Sequence, residues 1–260
     1  MNDCNKTFSK YQESHFDKKI ITEIEEYENN DFWNFTRNDF VKFILKYIKK
    51  NSYVLDIGCG DGYYAFQISK NKKIKNVTAL DVSKNSIDYA KKKYPCSKIN
   101  FIIGEFEKIN FNEKKFDAVY MCEIIEHFDN TEKILKKIFT ILKPDGMLFI
   151  STPNLLRLEN RIRGLFRKKY IFVDKSHFKE FTFKEINYLA KKYGFKVIKK
   201  RGVNLWAEWI FYPLFYFREN SIINKFLKNN IITGNNKFNY YLGKLLRPIS
   251  QKVQVVLKKY

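Results

Sequence analysis

Residues 53–68 constrain the chain more tightly than any other stretch. Tyr53-Val54-Leu55-Asp56-Ile57 is a short, mostly apolar run that enters Gly58-Cys59-Gly60-Asp61-Gly62, and the helical spacing Ala65, Phe66, Ile68 follows at once. The spacing predicts a strand, a glycine turn and a helix. Glycines at such a turn let a ligand lie against backbone N–H groups, and the helix that follows offers its positive end. A polar or anionic ligand is therefore expected there. The dinucleotide pattern G-x-G-x-x-G/A requires a small residue three places after the second glycine. Counted from Gly58 and Gly60, that place holds Tyr63, which disfavours a nicotinamide dinucleotide.

The alternation then repeats. Strands are expected at 77–80, 100–103, 116–121 and 147–150, with helices at 87–94 and 134–142. Thr182-Phe-Lys-Glu185 is a capping box that opens another helix, Gly194 stops it, and a strand is expected at 195–198. Strands separated by helices imply an α/β, doubly wound, mostly parallel sheet whose ligands sit at the strands' carboxyl ends. With 260 residues, one domain carrying insertions is expected. The predicted division is a helical extension over 1–50, a core over 51–203, an aromatic and basic insertion or lid over 204–250, and a closing strand in 251–260.

The net charge of +21 raises the question of polyanion binding. Only eight of the 49 basic residues are arginine, and scattered lysines suit solvated faces better than the bidentate recognition of phosphate. Cys4, Cys59, Cys96 and Cys122 form no C-x-x-C pair, which fits free thiols in a reducing, cytoplasmic compartment. The first residues lack the apolar run of a signal peptide, and no stretch reaches the length of a membrane span. The aromatic run 205–217, interrupted by Glu208 and Pro213, is read as a pocket wall, an insertion core or a peripheral membrane contact.

The string VLDIGCGDGYYAFQIS resembles motif I of class I S-adenosylmethionine-dependent methyltransferases, and the order of later motifs matches that family along most of the chain. The resemblance implies a Rossmann-like sheet of seven strands and S-adenosylmethionine as cofactor. Asp81, ending the strand VTALD, falls where the family binds the ribose hydroxyls. Glu105 in Gly104-Glu105-Phe106 falls where an acidic side chain reads the adenine amino group, and Phe106 where a backbone group reads the ring. By the same resemblance Gly58, Gly60 and Cys122 belong to the cofactor site, and Arg37 in DFWNFTR meets the cofactor carboxylate. Asp56 either braces the glycine turn or touches the cofactor's amino group.

Glu123-Ile-Ile-Glu126-His127 puts two carboxylates and an imidazole at i, i+3 and i+4, one face if a helical turn begins there. With His177, the four side chains make a mixed oxygen and nitrogen set suited to Mg²⁺, Mn²⁺ or Zn²⁺. This set resembles that of small-RNA 3′-end ribose methyltransferases, and its first part resembles ubiquinone-pathway O-methyltransferases. The alternative is a metal-free stretch in which Glu126 caps, His127 packs, and His177 or His127 acts as general base. The expected acceptor is a hydroxyl on a sugar, glycan precursor or small metabolite. Two rivals stand beside it: an RNA ribose 2′-hydroxyl, supported by the arginines at 157–167, and a non-catalytic cofactor-binding module.

Overall fold

The computed structural model of the chain describes residues 31–111, 115–205 and 237–260. It holds a seven-stranded sheet in the order β3-β2-β1-β4-β5-β7-β6, built from β1 (Ser52–Ile57), β2 (Ile74–Asp81), β3 (Ile99–Ile103), β4 (Phe116–Cys122), β5 (Leu142–Pro153), β6 (Phe195–Val203) and β7 (Lys252–Lys259). The pairs among β1 to β5 are parallel, and β7 runs antiparallel to both β5 and β6. Stepping outward from β1 in two directions, to β2 and to β4, creates the crevice at the carboxyl ends where ligands bind in open α/β sheets.

The period of two along each strand sends alternate side chains to opposite faces. In β1, Val54 faces a cluster with α1 (Asp31–Tyr47), α2 (Tyr63–Ser69) and α3 (Lys84–Lys93), whereas Leu55 faces α4 (Thr131–Ile141) and α6 (Phe183–Lys192), with the short α5 (Leu158–Leu165) between those two in the chain. The sheet is therefore buried on both faces, as the alternation implied. The capping box that opens α6 is complete, with the Thr182 hydroxyl accepting from the Glu185 N–H and the Glu185 carboxylate accepting from the Thr182 N–H.

The structure revises the expected boundaries at both ends of the chain. Within the described part of 1–50, α1 is a layer of the core rather than an appendage. Its Phe40 and Ile44 are 1% and 0% exposed, and burying each side chain contributes about 1.5–3 kcal/mol. The described end of 204–250 is likewise built in. There α7 (Lys237–Leu245) packs on β6 so closely that a Cβ on Gly243 would lie 2.4 Å from the Asn204 backbone nitrogen. Tyr240 of α7 is buried with Phe32 and Val203, and its hydroxyl donates to Asp39 on α1. Of the aromatic run 205–217, only Leu205 is described; the rest lies outside the described residues. Among the described residues no helix is long and apolar enough to cross a membrane.

Candidate active site

The turn after β1 needs its glycines for two separate reasons. Gly58, Gly60 and Gly62 have φ of 74°, 49° and 77°, in the left-handed region that other residues avoid. At Gly58 there is also no room, since an added Cβ would meet Ile124 Cγ1 at 2.7 Å. The turn is fastened to β2 by Gly58 N–H donating to the Leu80 carbonyl at 2.8 Å. Asp81, at the end of β2, accepts from Gly60 N–H at 2.8 Å and from Ser83 N–H at 2.9 Å, one on each carboxylate oxygen. Asp81 also lines the cavity.

Arg37, on α1, closes over this turn. One guanidinium nitrogen donates to both oxygens of Asp61, at 2.6 and 2.7 Å, and its carbon lies 3.8 Å from the centre of the Tyr63 ring. Burial opposes the charge of Arg37, yet Asp61, followed by Tyr64, raises its pKa. Asp61 was not singled out by the sequence reading, although an acid between two turn glycines is itself a signal. Glu105 and Phe106 follow β3 on the opposite wall, with Glu105 paired to Lys108 at 2.5 Å and Phe106 3% exposed.

Two cofactor assignments need correction or refinement. Asp56 does not reach the cavity wall. It is 1% exposed and accepts from the Tyr120 hydroxyl at 2.6 Å on the neighbouring strand, and burial pushes its carboxyl well above the usual range. It braces β1 against β4. Cys122 does line the cavity, with its thiol pushed up to about 12 by burial first and by Glu123 second, so it stays protonated.

The Glu-x-x-Glu-His stretch also departs from expectation. Glu123 has a left-handed φ of 54°, and the helical turn that follows is a short 3₁₀ segment, Ile125–His127, so the three side chains do not share one face. Glu123 accepts from the Ser151 hydroxyl at 2.6 Å and pairs with Lys252 at 3.2 Å. It is not part of the metal-ligating set. The ligating atoms of Glu126, His127 and His177 do converge, all within 4.8 Å of one another. His177 comes from 50 residues downstream, and its ring centre lies 4.8 Å from that of His127.

Each of these three is held in a definite way. Glu126 is 1% exposed; its Oε2 accepts from the Thr152 hydroxyl at 2.9 Å, while Oε1 is buried with no hydrogen-bond partner. Burial, with Glu123 adding to it, raises its pKa well above the carboxylate range. His127 Nδ1 lies 3.3 Å from the Ser176 carbonyl, and His177 Nδ1 lies 3.1 Å from Glu180 Oε1. Glu180 is itself buried against Arg157, with side chains 0% and 2% exposed. Burial works against the charge of Glu180, but hydrogen bonds from His177 and the Val173 N–H, together with Arg157, hold its pKa below the ordinary carboxylate range. The sequence signal for Glu180 was its place three residues after His177.

The donor set fits a divalent cation. A buried carboxylate oxygen without a partner stands beside two imidazoles whose Nδ1 atoms face a carbonyl and a carboxylate, the outer-shell pattern of metal-binding histidines. A single cavity of about 1170 Å³ joins these residues to the glycine turn, Asp81 and Glu105.

A model of the methyltransferase domain family matches residues 28–200. The ubiquinone biosynthesis O-methyltransferase of Coxiella burnetii is 33% identical over 117 residues, covering 42% of this chain and 49% of that protein. The sterol 24-C-methyltransferase of Kluyveromyces lactis is 31% identical over 154 residues, covering 52% and 41%. The chain thus spans about half the length of the curated relatives it matches. An N-methyltransferase of Bradyrhizobium japonicum, solved with S-adenosyl-L-homocysteine, superposes with a TM-score of 0.57 at 12% identity, covering 90% of each chain. With a matching family model over two thirds of its length and the glycine turn, acidic strand ends and seven-stranded sheet in place, the chain belongs to the class I S-adenosylmethionine-dependent methyltransferases.

Proposed function

We propose that the chain transfers a methyl group from S-adenosylmethionine to a hydroxyl of a sugar, glycan precursor or small metabolite, assisted by a divalent cation such as Mg²⁺, Mn²⁺ or Zn²⁺. The observation that carries this reading is the continuity of the cavity from the glycine turn to Glu126, His127 and His177. The acceptor does not follow from resemblance, since the relatives include O-, C- and N-methyltransferases by name.

Bound S-adenosylmethionine supplies an activated methyl on a sulfonium leaving group, so the protein's task is alignment and proton management. Asp81 would accept from the ribose hydroxyls and Glu105 from the adenine amino group, with the Phe106 backbone beside the ring. The glycine turn brings backbone against the cofactor, and Arg37 carries positive charge on the same wall. Glu126 Oε1 and the two imidazoles would hold the cation, which lowers the pKa of a bound hydroxyl. Glu180 keeps His177 oriented and Thr152 keeps Glu126 oriented. In a metal-free site, His177 or His127 takes the acceptor's proton.

Two measurements test the reading. Calorimetry with S-adenosyl-L-homocysteine should detect binding that Asp81→Ala weakens by about 1.5–3 kcal/mol, the range for a lost hydrogen bond to a charged group. Undiminished affinity would remove the ribose role. Turnover on a panel of sugars, catechols and short RNA should be suppressed by EDTA and restored by Mn²⁺. Full activity in excess chelator would leave the histidines as simple bases, methylation of RNA alone would replace the acceptor class, and cofactor binding without turnover on any acceptor would favour a binding module.

A further inference from the structure

Between Asn160 and Glu180 the chain forms a strap whose inner side lines the cavity, through Val173, Asp174, His177 and Phe178. Its outer side is unusual. Leu165 is 82% exposed and Phe166 71%, and Tyr170, Ile171 and Phe172 are exposed as well. Singly exposed apolar residues are ordinary; several large ones along one short segment mark an interaction surface.

This exposure is built. Asn160 donates to the Ile171 carbonyl at 2.9 Å and accepts from the Ile171 N–H at 3.0 Å. Arg163 Nε donates to the Lys169 carbonyl at 2.9 Å, and buried Arg157 donates to the Ile171 carbonyl. Glu180 accepts from the Val173 N–H. Polar groups under the strap thus fix its backbone, and its apolar side chains are held outward.

The charge on the same segment has one sign. Arg161, Arg167, Lys168, Lys169, Lys175 and Lys179 are exposed, and the single acid between Asn160 and Glu180, Asp174, is only half-exposed. Bulky apolar side chains interleaved with bases, on a chain of net charge +21, complement a surface that is negative outside and hydrocarbon within. A nucleic acid would match the bases and could stack on Phe166. It would leave the aliphatic Leu165 and Ile171 in water, since base recognition uses aromatic faces.

We infer that the 161–179 strap is a peripheral membrane-binding surface that seats the mouth of the cavity on an anionic lipid bilayer. The inference adds to the proposed reaction without depending on it.

Sedimentation with vesicles tests it on the full chain. The protein should pellet with vesicles of phosphatidylglycerol and phosphatidylcholine, remain in the supernatant with phosphatidylcholine alone, and lose binding as salt is raised. Phe166→Glu should weaken binding at least about tenfold, and Lys168→Gln/Lys169→Gln about twenty-five-fold, at roughly fivefold per base. Both variants should keep wild-type melting temperature and affinity for S-adenosyl-L-homocysteine, because none of the three residues lines the cavity. Failure of the wild type to bind anionic vesicles would overturn the inference, and so would undiminished binding of Phe166→Glu. So would a dimer, seen by analytical ultracentrifugation, that Phe166→Glu dissociates, because a second copy would then cover the strap. Retention of short RNA through Lys168 and Lys169 without vesicle binding would replace the lipid by a nucleic acid.

Discussion

The buried pair Arg157 and Glu180 gives the sharpest test of how His177 is held, because the two partners are supported unequally. If Arg157 is replaced by methionine, Glu180 keeps His177 at 3.1 Å and the Val173 N–H, but its charge stays in a place where the side chain is 0% exposed. Removing one member of a buried ion pair costs about 3–5 kcal/mol, and this half of the pair should sit in that range. If Glu180 is replaced by glutamine, Arg157 still has Glu159 at 3.6 Å and the carbonyls of Asn154 and Ile171. Its loss should be smaller, about 1–3 kcal/mol. The double variant should be less destabilised than the sum of the singles, since neither charge is then stranded. Urea unfolding followed by circular dichroism measures all four corners of the cycle. A glutamine at 180 also weakens the anchor on His177 Nδ1, so Mn²⁺ affinity by calorimetry should fall about 10–100-fold in Glu180→Gln. Additive singles, a larger cost for Glu180→Gln than for Arg157→Met, or unchanged Mn²⁺ affinity would each refute the argument.

Asp39 is tied to Arg201 at 2.7 Å, to Lys244 at 3.0 Å and to the Tyr240 hydroxyl, which joins α1 to β6 and α7. Burial opposes its charge, but Arg201, Tyr240 and Lys244 hold its pKa below the free value of 3.8. Because the folded value is the lower one, this stabilisation is complete above the free value and is lost as pH falls through the folded value. Asp39→Asn should therefore cost about 1–2 kcal/mol at pH 7 in urea unfolding, and the gap should narrow below about pH 4. Asp56 has the opposite sign: burial raises its folded value, so it costs stability as pH rises above its free value of 3.8. Asp56→Asn keeps an acceptor for Tyr120 and should be at least as stable as wild type at pH 8, with unchanged affinity for S-adenosyl-L-homocysteine; a loss of affinity would put Asp56 in the cofactor site.

Local signals carried far. The glycine turn, the period of two in the strands and the Thr182–Glu185 box are each written in adjacent residues, and each stands where its spacing implied. Gly58, Gly60, Asp81, Glu105, His127 and His177 were named from sequence, and all but His177 and His127 sit at the ends of consecutive strands, so one cavity follows from the topology. What the sequence hid depends on long-range geometry. A helical face over 123–127 assumed continuous right-handed backbone, which the left-handed Glu123 interrupts. The pairing of Arg157 with Glu180 spans a separation of 23 residues, and no local spacing encodes it. The role of α7 was masked by a composition of aromatics and bases that reads equally as lid and as core.

The reversed direction of β7 decides how the two carboxylates of the site are partnered. A strand parallel to β5 would begin at the opposite end of the sheet; running antiparallel, β7 starts among the carboxyl ends, and its first residue is Lys252. That lysine lies 3.2 Å from Glu123 and lines the same cavity. Burial lowers the pKa of Lys252, but Glu123, with Cys122 and Glu126 adding to it, more than offsets this, and the net shift is upward, so the lysine stays charged. Glu123 is thereby neutralised as an ion pair with Ser151 on its other oxygen. Glu126 is left as the buried carboxylate with an unfilled acceptor, facing two imidazoles from its own turn and from the strap. Strand β7 thus supplies the charge that pairs with Glu123, while Glu126, three residues later, keeps a buried oxygen without a hydrogen-bond partner.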